Sequence, residues 1–102
     1  MYRASDRIAE RDALDRLDAI GAALGIEEDT IAVAAELYLM RVPVEDRSRD
    51  AVLAACCYTA CLLRDEGRTQ TEIADAFDVT RHVIQRRWKR LIEEVGLDPP
   101  SW

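Results

Sequence analysis

Between Ala51 and Leu63 the chain reads AVLAACCYTACLL, thirteen residues without a charge, a Gly or a Pro in a protein that is 33% charged. At helical rise this run is about 20 Å long, too short to cross a bilayer and suited to a helix enclosed by protein. A helix that is apolar all round must be buried all round. Ala and Cys make up more than half of the run, so neighbouring helices can approach its backbone closely. These features predict a small helical domain wrapped around residues 48–65, with no membrane segment.

The flanking sequence supplies the wrapping. Ser5 or Asp6 can cap a first helix that runs to Leu24, with Ala13, Leu17, Ile20 and Leu24 on one face and Arg11, Asp12, Asp15, Arg16 and Asp18 in solvent. Gly25 suits the left-handed residue past a helix end. Glu27, Glu28 and Asp29 then favour the start of a second helix, because acids complement the positive end of the macrodipole. Pro43 forbids its continuation through residues 41–46. Ser48 is placed to cap the central helix, and residues 64–67 stop it with charge and Gly67. Thr69 and Glu72 have capping-box spacing at the start of a fourth helix carrying Ile73, Ala74 and Phe77. Thr80 can cap a fifth helix extending to about Val95. The expected fold class is all-α: a single domain over residues 5–97, with short flexible ends at 1–4 and 98–102.

The cysteines fall inside the apolar run. Cys56 and Cys57 are adjacent and cannot pair with each other in a helix, and three thiols make no disulfide framework. Cys57 and Cys61 have the spacing of metal ligands, but His82 is the only His and there is no second Cys pair, so they read as packing thiols. No Gly-rich phosphate loop and no nucleophile–base set occurs, so neither an enzyme nor a cofactor is expected. Net charge is −6, cations are Arg apart from Lys89, and Asn is absent while Ala is abundant. Such usage fits a salt-adapted prokaryote. The first ten residues lack the apolar core of a signal peptide, so the expected location is the cytoplasm.

Charge is distributed unevenly. Residues 79–92 contain Arg81, Arg86, Arg87, Lys89 and Arg90 and no acid, which is +5 in a chain of −6 and leaves −11 elsewhere. Residues 69–92 have the pattern of a helix-turn-helix: Ala74 permits close passage, Val79 is the apolar turn residue, and Ile84, Trp88 and Leu91 return to the core. Asp78 stands where a turn Gly is common, and Asp tolerates that backbone better than most residues. Arg81, His82, Gln85, Arg86 and Lys89 are left facing outward. A basic second helix on an acidic domain is what docking on a duplex requires, since cations must gather where phosphates lie. The competing reading pairs these Arg with Asp75, Glu72 or Glu93 inside the fold.

From Leu14 to Leu97 the chain resembles one cyclin-like repeat of archaeal transcription factor B, the counterpart of the eukaryotic general factor IIB. The stretches that carry the resemblance are Leu24–Gly25–Ile26, Glu36–Leu37–Tyr38, Arg47–Ser48 with Ala51–Cys61, and above all RTQTEIADAFDVTRHVIQRRWKRLIEEVGL at 68–97, which is most similar to the second repeat. The resemblance implies a five-helix cyclin-like orthogonal bundle with the third helix at its centre and a C-terminal helix-turn-helix. It also implies double-stranded DNA as a partner, read in the major groove, and contact with the TATA-binding protein. The family's base readers, an apolar residue and an Arg, fall on His82 and Gln85, so its base preference does not carry over. Gln can bond adenine through N6 and N7, and His can contact guanine. Arg81, Arg86 and Lys89 would hold phosphates, and Thr80, Arg87 and Arg90 complete the candidate DNA-contacting set. The sequence shows neither the family's zinc ribbon nor a second repeat. That leaves a single-repeat DNA-binding transcription regulator, able to act as a homodimer, or an interaction module of the transcription machinery that does not touch DNA.

Overall fold

A computed structural model describes residues 4–42 and 44–96; the side chains of residues 4–9 and of Asp46 are outside that description. The described residues form helices α1 (Ala4–Leu24), α2 (Glu28–Leu39), α3 (Arg49–Leu63), α4 (Gln70–Ala76), α5 (Arg81–Gln85) and α6 (Trp88–Glu94), with a single 3-10 turn at Asp46–Ser48. Among the described residues, no helix is long and apolar enough to cross a membrane. Of the flexible ends expected at 1–4 and 98–102, residues 1–3 and 98–102 lie outside the described residues, as does Leu97, while Ala4 opens α1.

Helix α3 is the hub, and each of the other five packs against it. Ten consecutive residues, Val52 to Cys61, are buried, so every face of the helix is covered over that span. Ala51, Leu62 and Leu63 at its two ends are only partly covered. Burial pushes the Cys56 thiol up to about 12. A hydrogen bond with Cys61, and then burial, push Cys57 well above an ordinary thiol. Thr59, the one hydroxyl in the buried span apart from Tyr58, donates to the Ala55 carbonyl one turn back at 2.8 Å.

Two details differ from the sequence reading. Ser48 stands at the N-cap position of α3 as expected, but it also closes the 3-10 turn, its backbone lies in the right-handed region and its hydroxyl makes no cap bond. The predicted fifth helix is broken. The Arg87 N–H bonds to Ile84 O at 3.0 Å, three residues back, where Arg86 N–H still reaches His82 O, four back, at 3.1 Å. Both Arg stay in the right-handed region, so the defect is a tightened turn separating α5 from α6.

Helix ends follow one repeated device. After α1, α3 and α4 a residue with positive φ takes the position past the cap: Gly25, Asp65 and Asp78. In each case the next N–H reaches back five residues: Ile26 to Gly21 O at 2.9 Å, Glu66 to Cys61 O at 2.9 Å and Val79 to Ala74 O at 3.0 Å. The stop after α3 is therefore Asp65 rather than Gly67.

Longer contacts fix the helices to one another. The Glu66 carboxylate accepts from Glu27 N–H at 3.3 Å and from the buried Thr30 hydroxyl, so the α3–α4 turn caps α2 across the fold. Arg16 pairs with Asp50 at 3.0 Å and donates to Phe77 O at 3.3 Å, joining α1 to α3 and to the α4–α5 turn. Arg49 donates to the Tyr38 hydroxyl at 3.2 Å and to Val44 O at 2.9 Å, bracing the segment between α2 and α3. Gly21 lets α2 pass close to α1, since a Cβ there would lie 2.6 Å from Ile31 Cγ1.

Removing the Glu66 carboxylate leaves Thr30 and Glu27 N–H without their acceptor. Glu66→Ala is expected to lower stability by about 1–2 kcal/mol, measured by urea unfolding at pH 7. The buried thiols and Tyr38, whose phenol burial raises to about 12, give the opposite end of the pH scale a defined outcome. The folded Cys56 keeps its proton to about 12 while the unfolded thiol loses it near 9. Stability is then fully present below about pH 9 and falls as pH rises toward 12. A urea midpoint that stays flat from pH 8 to 11 would contradict this.

Candidate nucleic-acid interface

The candidate interface comprises α4, the four-residue turn 77–80 and α5. Thr69 holds the start of α4: its hydroxyl accepts from Glu72 N–H at 3.1 Å, as the capping-box spacing predicts. Ile73, Ala74 and Phe77 are buried, and the small Ala74 lies where α4 and the turn come together. The turn reverses through Asp78 at φ 56°, and Thr80 follows in extended conformation at the N-cap of α5. Its hydroxyl closes no cap bond, so the position of Thr80 matches the sequence reading while the capping interaction does not form.

Two anchors set the direction of the basic segment. Ile84 of α5 is fully buried, and Trp88 of α6 meets Tyr58 of the hub edge-to-face, with centroids 5.9 Å apart and rings at 79°. Leu91 and Ile92 complete the buried side of α6. Opposite these anchors, Thr80, Arg81, His82, Gln85, Arg86 and Arg90 are exposed, whereas Arg87 and Lys89 are partly covered. Lys89 turns back, with Nζ 5.5 Å from the centroid of the Trp88 ring, instead of facing outward with the others.

The candidate residues divide at the tightened turn. Arg81, His82 and Gln85 lie on α5. Gln85 is joined there by Gln70, the first residue of α4, whose Nε2 donates to Gln85 Oε1 at 2.7 Å. Arg86, Arg87 and Arg90 instead line a cleft of about 380 Å³ whose apolar lining is Val44, Val52, Ala55 and Leu91. Arg41 closes the cleft, fixed by two contacts to Glu94 at 2.9 and 3.0 Å. Gln70 and Arg41 escape the sequence reading. Gln70 is recognisable only as a second amide just after the cap, and Arg41 lies in a stretch whose sequence signals only loop.

Among the described residues, no carboxylate comes within 4.0 Å of Arg81, Arg86, Arg87, Lys89 or Arg90, although other Arg form pairs, such as Arg68 with Glu72 and Arg64 with Asp29. Internal neutralisation by Asp75, Glu72 or Glu93 does not occur. Five cations within ten residues, unrelieved by acids, repel one another, and that repulsion is removed by an external anion.

Residues 9–94 match the family described as "Transcription factor TFIIB repeat". The chain is 38% identical to transcription initiation factor IIB of Pyrococcus furiosus over 95% of its own length and 34% of that protein. It is 37% identical to transcription initiation factor IIB 1 of Thermococcus kodakarensis over the same shares. With transcription initiation factor IIB 2 of Thermoplasma acidophilum it is 34% identical over 88% of its length and 31% of the relative. The chain thus spans about a third of the curated relatives it matches. The buried hub helix, the α4–α5 pair and the sequence matches lead to one assignment: this chain belongs to the transcription factor TFIIB repeat family.

Proposed function

We propose that the chain acts in transcription initiation or its regulation by binding double-stranded DNA, with α4–α5 working as a helix-turn-helix and α5 entering the major groove. The observation that carries this is the acid-free cationic run 79–92 on α5 and the first turns of α6, whose five cations have no carboxylate within 4.0 Å among the described residues. Arg81 and Arg86 hold phosphates, and His82 and Gln85 reach base edges. The hub helix contributes by rigidity: α5 is tied to it through Ile84 and α6 through Trp88, so the docking angle is set before DNA arrives.

A second contact is compatible with the first. The arginine cleft combines unpaired guanidinium groups with an apolar floor, which suits an acidic protein surface carrying an apolar side chain. The TATA-binding protein, the partner that the family resemblance implies, is the candidate.

The two contacts are separable by charge reversal. Fluorescence anisotropy on a labelled duplex is expected to show binding that weakens as salt rises. In the Arg81→Glu/Arg86→Glu variant, affinity should fall at least ten-fold and the log–log salt slope should shrink by about 2. Absence of duplex affinity at the lowest salt that keeps the protein folded would sink the DNA reading. For the cleft, Arg87→Glu/Arg90→Glu should abolish capture of the TATA-binding protein on an affinity resin, while Arg81→Glu leaves it intact. Equal loss in both variants would show that the cleft is not the docking surface.

A further inference from the structure

We infer that Gln70 is a specificity-determining residue of the DNA-binding surface, acting through Gln85 to make it a reader of guanine rather than adenine. The inference rests on the proposed DNA reading and deepens it.

A Gln side chain has one acceptor end and one donor end. Recognition of adenine uses both: Nε2 donates to N7 while Oε1 accepts from the N6 amino group. In this fold Gln85 Oε1 already accepts from Gln70 Nε2 at 2.7 Å, a short and well-formed amide bond between the first residue of α4 and the last of α5. The NH2 group is the end of the Gln70 amide that meets Gln85, and its Oε1 is buried. The Gln85 carbonyl is thereby drawn toward α4, and its NH2 group is left as the end directed at a ligand. A lone NH2 with two protons matches a base that presents two adjacent acceptors. In the major groove only guanine does so, through O6 and N7. Adenine would place its N6 donor against the Gln85 donor and thymine offers a single acceptor.

The position of Gln70 supports the assignment. Thr69 caps α4 and fixes the first turn, so Gln70 is presented from a held backbone and not from a loop. Gln85 is exposed on α5 next to Arg81 and Arg86, with no other side-chain hydrogen bond among the described residues. The contact spans fifteen residues and joins the two helices across the turn. It orients Gln85 before DNA binds, which removes part of the ordering cost of a long side chain.

Selection from a randomised duplex pool, followed by sequencing, tests the inference with the wild type, Gln85→Ala and Gln70→Ala. The wild type should enrich sites with guanine at one position where Gln85→Ala loses the preference. In Gln70→Ala the freed Gln85 carbonyl should move that preference toward adenine by at least about five-fold, with the rest of the site unchanged. Gln70→Met keeps the bulk without the donor and should give the same shift, which controls for any loss of packing. If wild-type sites show adenine at the Gln85-dependent position, or if neither Gln70 variant alters it, the inference is overturned while the DNA reading stands. If the wild type enriches no sequence and binds no duplex, the DNA reading fails and takes this inference with it.

Discussion

Ten consecutive residues of one helix are withdrawn from water at once, and the remaining helices are arranged so that this can happen. Val52 to Cys61 offers no polar face, so partners have to come from all sides: α2, α4, α5, α6 and part of α1. The small side chains that make such a helix weak as an individual hydrophobic element allow the close approach that surrounds it. Burial of this kind scales with area and has no preferred direction. The directional information comes from elsewhere, from caps, turns and a handful of long side chains at the rim.

Those rim contacts explain why the bundle is specific and not merely collapsed. Glu66 caps α2 from the far end of α3, Arg16 reaches from α1 to the turn at Phe77, and Arg49 ties Tyr38 to Val44. Glu66 and Arg16 join elements distant in sequence and Arg49 braces consecutive ones, each through a charged group that is not fully buried. In such places the desolvation cost is small and the geometric selectivity high. The same logic governs the Arg41–Glu94 pair, which fixes one wall of the arginine cleft.

Function, on this reading, is divided by a defect. The tightened turn at Arg86–Arg87 separates Arg81, His82 and Gln85, presented by α5, from Arg87 and Arg90 in the cleft, with Arg86 at the boundary of both. Under the proposed function, one basic segment would offer two surfaces, one to a duplex and one to a protein. A continuous helix would have spread the same cations along a single axis. Buried Ile84 and the Tyr58–Trp88 ring contact anchor the segment on either side of that turn.

Much of this was written locally. The buried hub follows from an uncharged run longer than any helix face. The start of α4 follows from Thr69 and Glu72, the turn at Asp78 from a residue that tolerates positive φ, and the basic surface from five cations without an acid. Each depends on neighbours a few residues apart, and a short window of chain suffices to specify it. The break at Arg86–Arg87 was not legible, because both residues are good helix formers and no Gly or Pro marks it; tertiary packing overrides propensity there. Nor was the role of Ser48, which stands at the N-cap of α3 but closes a 3-10 turn and makes no cap bond. The Gln70–Gln85 bond, the Glu66 cap and the Arg41 wall also belong to the folded state alone. Their partners are separated by fifteen residues or more, and nothing in a linear pattern says which distant polar ends will meet once the hub has drawn the helices together.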